Sequence, residues 1–237
     1  MTVQAPNRAS SPLLDGPLSV AMREGSQLEH RAAETARFTT ALLEGRVDES
    51  GYLDYLLRLR RIYGALETIG AQLAEDPLVA AVYDTALVRR EALEADLGRW
   101  AELTGVELAN VVEPSSPATD AYVERIAAST GWSGLYIAHH YTRYLGDLSG
   151  GQAIGRILAR EFDLTAGEPG LAFYAFPQIS KPKPYKDRYR ARLDALELDS
   201  ADKGRIVDEV KHTFGLNQAL FEELDETLHE HVRVPRG

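Results

Sequence analysis

The chain has 237 residues, of which 44% are hydrophobic and 26% charged, a composition typical of a globular protein with one large or two small domains. Because it contains no cysteine, disulfides, thiolate metal ligands and thiol nucleophiles are excluded. A net charge of −10 argues against a nucleic-acid-binding protein, which normally has a basic face. The sequence has neither a run of about 20 apolar residues nor a secretory signal, so we expect a cytoplasmic protein without a membrane anchor.

The apolar residues follow a helical period almost throughout the chain. They predict helices over about 17–45, 53–76, 78–86, 88–104, 117–131, 132–163, 184–197 and 200–231. Residues 164–183 carry many glycines and prolines and predict a long ordered loop without a strand. No repeat or linker divides the chain, so we expect one all-α domain over residues 15–231. Residues 1–14 are expected to form a mobile tail, and residues 232–237 a short C-terminal tail.

The most informative pattern lies in the predicted helix over 132–163, where Gly146, Gly150, Gly151 and Gly155 surround a lone acid, Asp147. Each glycine lowers the stability of a helix by about 1 kcal/mol relative to alanine, so four glycines in one helix require a structural or functional explanation. A tight helix crossing and a smooth surface against a flat ligand explain the glycines about equally well. They also permit a kink in the helix.

The segment over 143–152, RYLGDLSGGQ, resembles the distal-helix signature of heme oxygenases. The resemblance extends from about Leu18 to about Leu224 and includes QLEHRAAE around His30, GLAFYAFPQI, KDRYRARL and FGLNQALFEEL. It implies a single-domain bundle of helices with heme b between a proximal helix and a kinked, glycine-rich distal helix. The activity it implies is the cleavage of heme at the α-meso carbon by O2 and external electrons. The products would be biliverdin IXα, carbon monoxide and ferrous iron.

His30 is the iron ligand that this resemblance implies. A lone helical histidine is more often a surface or core residue, but its neighbours favour ligation. In a continuous helix Arg23 lies within about 20° of His30 and about 10 Å along the axis, which matches the span from a heme iron to the propionates. Glu34, at i+4, can accept a hydrogen bond from the other ring nitrogen. His139 and His140 point about 100° apart and are not predicted to bind iron.

A basic segment follows the predicted loop, and it indicates an anionic partner because cations at a helix N-terminus oppose the helix dipole. Its members are Lys181, Lys183, Lys186, Arg188, Arg190 and Arg192. By resemblance Lys186 and Arg190, at i and i+4, bind the heme propionates together with Arg23 and Tyr141. Arg188 and Arg192 point elsewhere. Arg23 stands where relatives often have lysine, and Gln27 where some have another basic residue, so the sequence predicts one lost contact at Gln27.

The resemblance also assigns the distal side of the heme. Asp147, with Arg143, orders waters that deliver protons, and the backbone of the glycine motif contacts the heme and restricts the position of oxygen. Phe214 and Asn217, on the last helix, match distal positions that line the pocket. Core packing is the alternative explanation for Phe214.

The chain has no nucleotide-binding glycine loop or flavin motif, so electrons are expected from an NAD(P)H-dependent reductase or a ferredoxin. The main alternative is a heme-binding carrier or sensor without catalysis, and the intact Arg143, Gly146 and Asp147 argue against it. A second alternative is a thiaminase-like helical enzyme, which would need a nucleophilic cysteine.

Overall fold

The computed structural model describes residues 12–235. Within these residues the chain forms eleven α-helices, and no strand occurs apart from an isolated bridge between Val47 and Val232. The helices are α1 (Leu18–Gly25), α2 (Gln27–Glu34), α3 (Arg37–Leu43), α4 (Glu49–Gln72), α5 (Pro77–Ala80), α6 (Arg90–Leu103), α7 (Pro117–Ala127), α8 (Gly134–Gly146), α9 (Gln152–Phe162), α10 (Pro182–Asp194) and α11 (Ser200–Thr227). The all-α prediction is therefore confirmed.

Capping residues fix where several of these helices begin. Asp48 and Asp199 accept hydrogen bonds from backbone N–H groups in the first turns of α4 and α11, each at 2.8 Å. Ser116 accepts from the backbone N–H of Thr119 ahead of Pro117, which is the helix start predicted there. Such caps satisfy N–H groups that have no partner within the helix.

The two longest helices, α4 and α11, organise one hydrophobic core. Helix α11 packs against α1, α2, α3, α7 and α8, while α4 packs against α6, α7 and α8. None of the helices formed by residues 12–235 has the length and apolarity that crossing a membrane requires.

The predicted single helix over 17–45 is wrong, because the structure divides this segment into α1, α2 and α3. Ser26 leaves the helical conformation between α1 and α2, with ψ at 16°, and its Oγ donates to the carbonyl of Met22 at 2.8 Å. Gly25 packs so closely against α11 that a Cβ there would lie 2.6 Å from Val207 Cγ1. Arg23 and His30 consequently lie on different helices, and the predicted angle between them does not apply.

The chain ends differ from the predicted tails. Residues 1–11 lie outside the described part of the chain, whereas Pro12–Asp15 forms a 3₁₀ turn that packs against α1 and α11. The last helix ends at Thr227, and a 3₁₀ turn follows at Leu228–Glu230. Residues 232–235 then run beside the turn between α3 and α4, where the backbone N–H of Arg233 donates to the carbonyl of Arg46 at 2.8 Å. The predicted helix over 78–86 is reduced to α5 and a 3₁₀ turn at Thr85–Leu87.

The predicted helix over 132–163 is present as α8, a π-helical turn at Asp147–Gly151, and α9. The π-helical turn coincides with the glycine motif, and π-helical turns occur frequently at functional sites. The loop that follows is ordered, as predicted, with only a 3₁₀ turn at Ala172–Tyr174. Buried Asp96 of α6 anchors it by accepting the backbone N–H groups of Gly170, Ala172 and Phe173 at 2.7–2.9 Å.

Candidate functional site

A cavity of about 400 Å³ opens between α2 and the combined α8, π-helical turn and α9, within the size range of small-molecule sites. A smaller cavity of about 180 Å³ adjoins it. The predicted site residues that line the larger cavity are His30, Glu34, Tyr141, Arg143, Gly146, Asp147, Gly150, Gly151, Arg190, Phe214 and Asn217. Arg23 lines the smaller cavity. Lys186 lines neither.

His30 presents its imidazole to both cavities, with 52% of the side chain exposed. Its Nδ1 lies 3.4 Å from Glu34 Oε2, which is four residues further along α2. Nε2 is therefore the ring nitrogen that can bind a metal. The Phe214 ring stands edge-on to the imidazole, with 5.2 Å between the ring centroids. Phe214 therefore lies beside the His30 ring and also lines the larger cavity.

The glycines of the motif face two different environments. A Cβ built on Gly146 or Gly150 meets no atom within 4 Å, so both backbone positions border open cavity. On Gly151 and Gly155 a Cβ would lie 3.4 Å and 3.1 Å from the side chain of Tyr174. Gly151 and Gly155 are therefore closely packed, against Tyr174 of the following loop and not against a crossing helix. The smooth backbone at Gly146 and Gly150 suits a flat ligand.

Asp147 lies at the centre of a buried hydrogen-bond network. Tyr63 of α4 donates to Asp147 Oδ2, and Arg143 Nε donates to the Tyr63 hydroxyl at 3.2 Å. Arg143 Nη1 donates to Asn217 Oδ1 at 2.9 Å. Burial raises the pKa of Asp147, while Arg143 and the hydrogen bond from Tyr63 oppose that rise. A buried carboxylate of this kind, at the wall of a cavity, can hold and release a proton.

Two residues of this site, Tyr55 and Tyr63, were not predicted from the sequence. Both lie on α4, which the sequence presents as an apolar core helix, and Tyr55 lines the larger cavity. The available signal was the presence of phenols on the buried face of a leucine-rich helix. A buried phenol normally needs a hydrogen-bond partner, and Tyr63 finds it in Asp147.

The basic residues of α10 have different surroundings, and one of them lies at the larger cavity. Arg190 lines the cavity and pairs with Asp187 at 3.2 Å. Lys186 Nζ instead donates to Ser149 Oγ at 2.8 Å, so it contacts the π-helical turn rather than the cavity interior. Burial and the neighbouring Arg190 lower the pKa of Lys186. Arg192 points away, as predicted, and donates to the carbonyl of Ala81 at 2.7 Å.

His139 and His140 are packed in the core and line neither cavity. His139 Nε2 lies 3.2 Å from Glu209 Oε1 of α11, and His140 Nδ1 lies 2.9 Å from the Tyr189 hydroxyl of α10. Burial lowers the pKa of His140 to about 3. Both histidines therefore hold α8 against its neighbours.

The side chains that line the larger cavity suit a metal ion whose other ligands come from a bound organic group. Among residues 12–235, no group of three or more histidine, cysteine, aspartate or glutamate side chains is arranged to hold a metal ion. The cavity offers His30 as its single histidine. An iron whose other ligands come from a porphyrin needs one such protein ligand, so the residues present fit a heme.

Comparison with known proteins agrees with this geometry. The sequence model of the heme oxygenase family matches residues 16–223. Human heme oxygenase 1 is 39% identical over 213 residues, which are 89% of this chain and 73% of the human protein. Heme oxygenase 1 of a Nostoc species is 38% identical over 208 residues, 87% of this chain and 85% of that protein. The structure of heme oxygenase-1 from Synechocystis sp. PCC6803 in complex with heme is similar with a TM-score of 0.82 and 34% identity, covering 90% of this chain and 95% of that one.

Proposed function

Because the chain belongs to the heme oxygenase family, we propose that it binds heme b and cleaves it at the α-meso carbon to biliverdin IXα, carbon monoxide and ferrous iron. One observation carries this proposal: a single cavity is lined by His30, by the open backbone of Gly146 and Gly150, and by buried Asp147. When bound, heme supplies the iron that activates O2 and the carbon that is oxidised.

The proposed proximal ligand is Nε2 of His30. The Glu34 carboxylate, 3.4 Å from Nδ1, selects the tautomer that carries its hydrogen on Nδ1 and leaves Nε2 as the donor atom. The edge-on ring of Phe214 restricts rotation of the imidazole. A neutral imidazole held in this way binds iron without the strong electron donation of a thiolate.

Asp147 is the proposed holder of the proton on the distal side. Tyr63 donates to its carboxylate, Arg143 donates to Tyr63, and Asn217 accepts from Arg143, so the group keeps one orientation at the cavity wall. A fixed carboxylate that accepts and releases a proton through ordered water acts as a general acid–base group. The open backbone of Gly146 lets the substrate approach this carboxylate without a side chain between them.

The two propionates break the in-plane symmetry of the heme. The side chains that bind them are therefore proposed to set the orientation of the heme. Each charge-assisted hydrogen bond contributes about 1.5–3 kcal/mol, and about 1.4 kcal/mol already favours one orientation tenfold. Arg23, Tyr141, Lys186 and Arg190 are the proposed anchors for attack at the α-meso carbon. Chromatography of the biliverdin isomers should therefore give IXα from the unmodified protein. The double variant Lys186→Ala/Arg190→Ala should give mixed isomers while remaining active.

The central test uses purified protein loaded with heme and supplied with ascorbate or a reductase, with catalase present to remove free peroxide. The Soret band should decay while biliverdin absorption appears, and carbon monoxide should be released. Asp147→Ala is the matched control, because it should bind heme with the same affinity and yield little biliverdin. A Soret band that persists in the unmodified protein under these conditions would support the carrier or sensor alternative instead.

The electron donor and the cellular location remain predictions from the sequence. An NAD(P)H-dependent reductase and a ferredoxin can be distinguished by reconstituting turnover with each donor separately. Fractionation of cells that express the tagged chain tests the expected cytoplasmic location.

A further inference from the structure

The smaller cavity has the chemistry of an anion site. It adjoins His30 and receives Arg23 from α1, Arg31 and Gln27 from α2, and Tyr141 from α8. Among the described residues that line it, none is acidic. Two guanidinium groups, an amide and a phenol thus converge on a cavity of about 180 Å³, and these are the donors that bind carboxylates in proteins.

Arg31 has only weak contacts where it now lies. Its Nε donates to the carbonyl of Gln27 at 3.3 Å, and its Nη2 donates to Gln27 Oε1 at 3.4 Å. Within residues 12–235 Arg31 forms no salt bridge, whereas Arg23 pairs with Glu24 at 3.1 Å. An exposed guanidinium held by two long bonds to neutral oxygens can turn toward an anion at little energetic cost.

Tyr141 lies close to arginine side chains of both cavities. Burial raises the pKa of its hydroxyl, and both Arg190 and Arg23 act against that rise, so the phenol lies within the field of both arginines. It lines both cavities, with Arg190 in the larger one and Arg31 in the smaller one. Each of the two adjoining cavities therefore contains arginine side chains as well as this phenol, which matches a ligand with two carboxylates.

We propose that the smaller cavity binds one of the two heme propionates and that Arg31 supplies the principal charge–charge contact there. This assignment rests on the proposed function. At Gln27 the resemblance to relatives implies a missing basic residue. Arg31 lies one helical turn after Gln27, so the positive charge is displaced along α2 rather than absent. The Gln27 amide, which now holds the guanidinium, is placed to donate its N–H to the same carboxylate. The second propionate is left to Arg190 and Lys186, the two anchors proposed on α10.

The test compares heme with heme dimethyl ester, which keeps the porphyrin and the iron but has no carboxylates. Dissociation constants are measured by absorbance titration in the unmodified protein and in Arg31→Gln. Heme should bind the variant about tenfold or more weakly, the fold-change expected for a lost charge-assisted hydrogen bond. The dimethyl ester should bind both proteins equally. Arg31→Lys should recover part of the affinity for heme.

Arg188→Gln is the matched control, because it removes the same charge from α10 at a side chain that lies against Tyr185 outside both cavities. It should leave both dissociation constants unchanged. An equal loss of affinity for heme and for its dimethyl ester in Arg31→Gln, or no loss for either, would overturn the assignment. The proposed function fails separately, if the unmodified protein shows no saturable heme binding or retains heme intact under reductant.

Discussion

Tyr63 of α4 donates its phenolic hydrogen to the carboxylate of Asp147 in the π-helical turn. The bond joins α4 to the π-helical turn, at a residue that lines the larger cavity. It also lowers the pKa of a carboxyl group whose pKa burial would otherwise raise further. Tyr63 is thus a positioning residue that controls both the orientation and the ionisation of Asp147.

Tyr63→Phe should shift the pH profile of turnover. Removing the hydrogen bond takes away a contact that favours the ionised carboxylate, so the pKa of Asp147 should rise. Turnover that needs the ionised form is lost as pH falls through this pKa, and the acidic limb of the profile should therefore move to higher pH. Heme affinity should be unchanged. Tyr189→Phe, which removes another buried phenolic hydroxyl, one that lies 2.9 Å from His140 Nδ1, should leave the profile in place.

His30→Ala should separate heme retention from iron ligation. The variant should still bind heme through the glycine backbone and the cationic groups, but without the spectrum of a histidine-ligated iron. Added imidazole should restore that spectrum and part of the turnover. His140→Phe, which replaces a buried imidazole outside the cavity by a ring without nitrogen, should keep the spectrum of the unmodified protein. A histidine-ligated spectrum in His30→Ala without imidazole would assign the ligand to another residue.

The sequence predicted the helices well where local signals decide them. Ser116-Pro117 marks a helix start that the structure contains, and the glycine motif coincides with the π-helical turn between α8 and α9. The break at Ser26 was not predicted, because it depends on the close approach of Gly25 to Val207, which is far away in the sequence. Local propensity contains no information about such contacts, and tertiary packing overrides it.

The residues of the candidate site were likewise predicted where their geometry is local and missed where it depends on long-range packing. Glu34 follows His30 by one helical turn, and that pair was predicted because its geometry is local. The partner of Asp147 was not predicted, because Tyr63 lies 84 residues earlier and only the packing of α4 against α8 brings the two together.

Gln152→Leu should weaken the link between the π-helical turn and the loop beside it. The Gln152 amide donates to the carbonyls of Asp147, at 3.3 Å, and Tyr174, at 2.8 Å. Leucine keeps the size but leaves these part-buried carbonyls without a donor, at a cost of about 1–3 kcal/mol in the free energy of unfolding. Turnover should fall more than heme affinity, because Asp147 loses its fixed position.

The control for this change is Gln218→Leu, which removes an exposed amide that donates to Glu222 at 2.8 Å on α11. Urea unfolding and turnover should both remain near those of the unmodified protein. If the two leucine variants lose stability and turnover equally, Gln152 has no special part in holding the π-helical turn.

Alanine at Gly146 and at Gly155 should have opposite effects on stability, and only the change at Gly146 should weaken ligand binding. Gly146 has helical backbone angles (φ −61°, ψ −49°), and its added methyl group would meet no protein atom within 4 Å. Gly146→Ala should therefore raise the free energy of unfolding of the heme-free protein, by up to about 1 kcal/mol, while the methyl group enters the cavity and weakens heme binding. At Gly155 the methyl group would lie 3.1 Å from Tyr174 Cβ, an atom fixed close to the backbone. Gly155→Ala should consequently lower stability and leave heme affinity unchanged. Urea unfolding of the heme-free proteins and heme titration measure both quantities, and unchanged heme affinity in Gly146→Ala would show that the open glycine backbone does not contact the ligand.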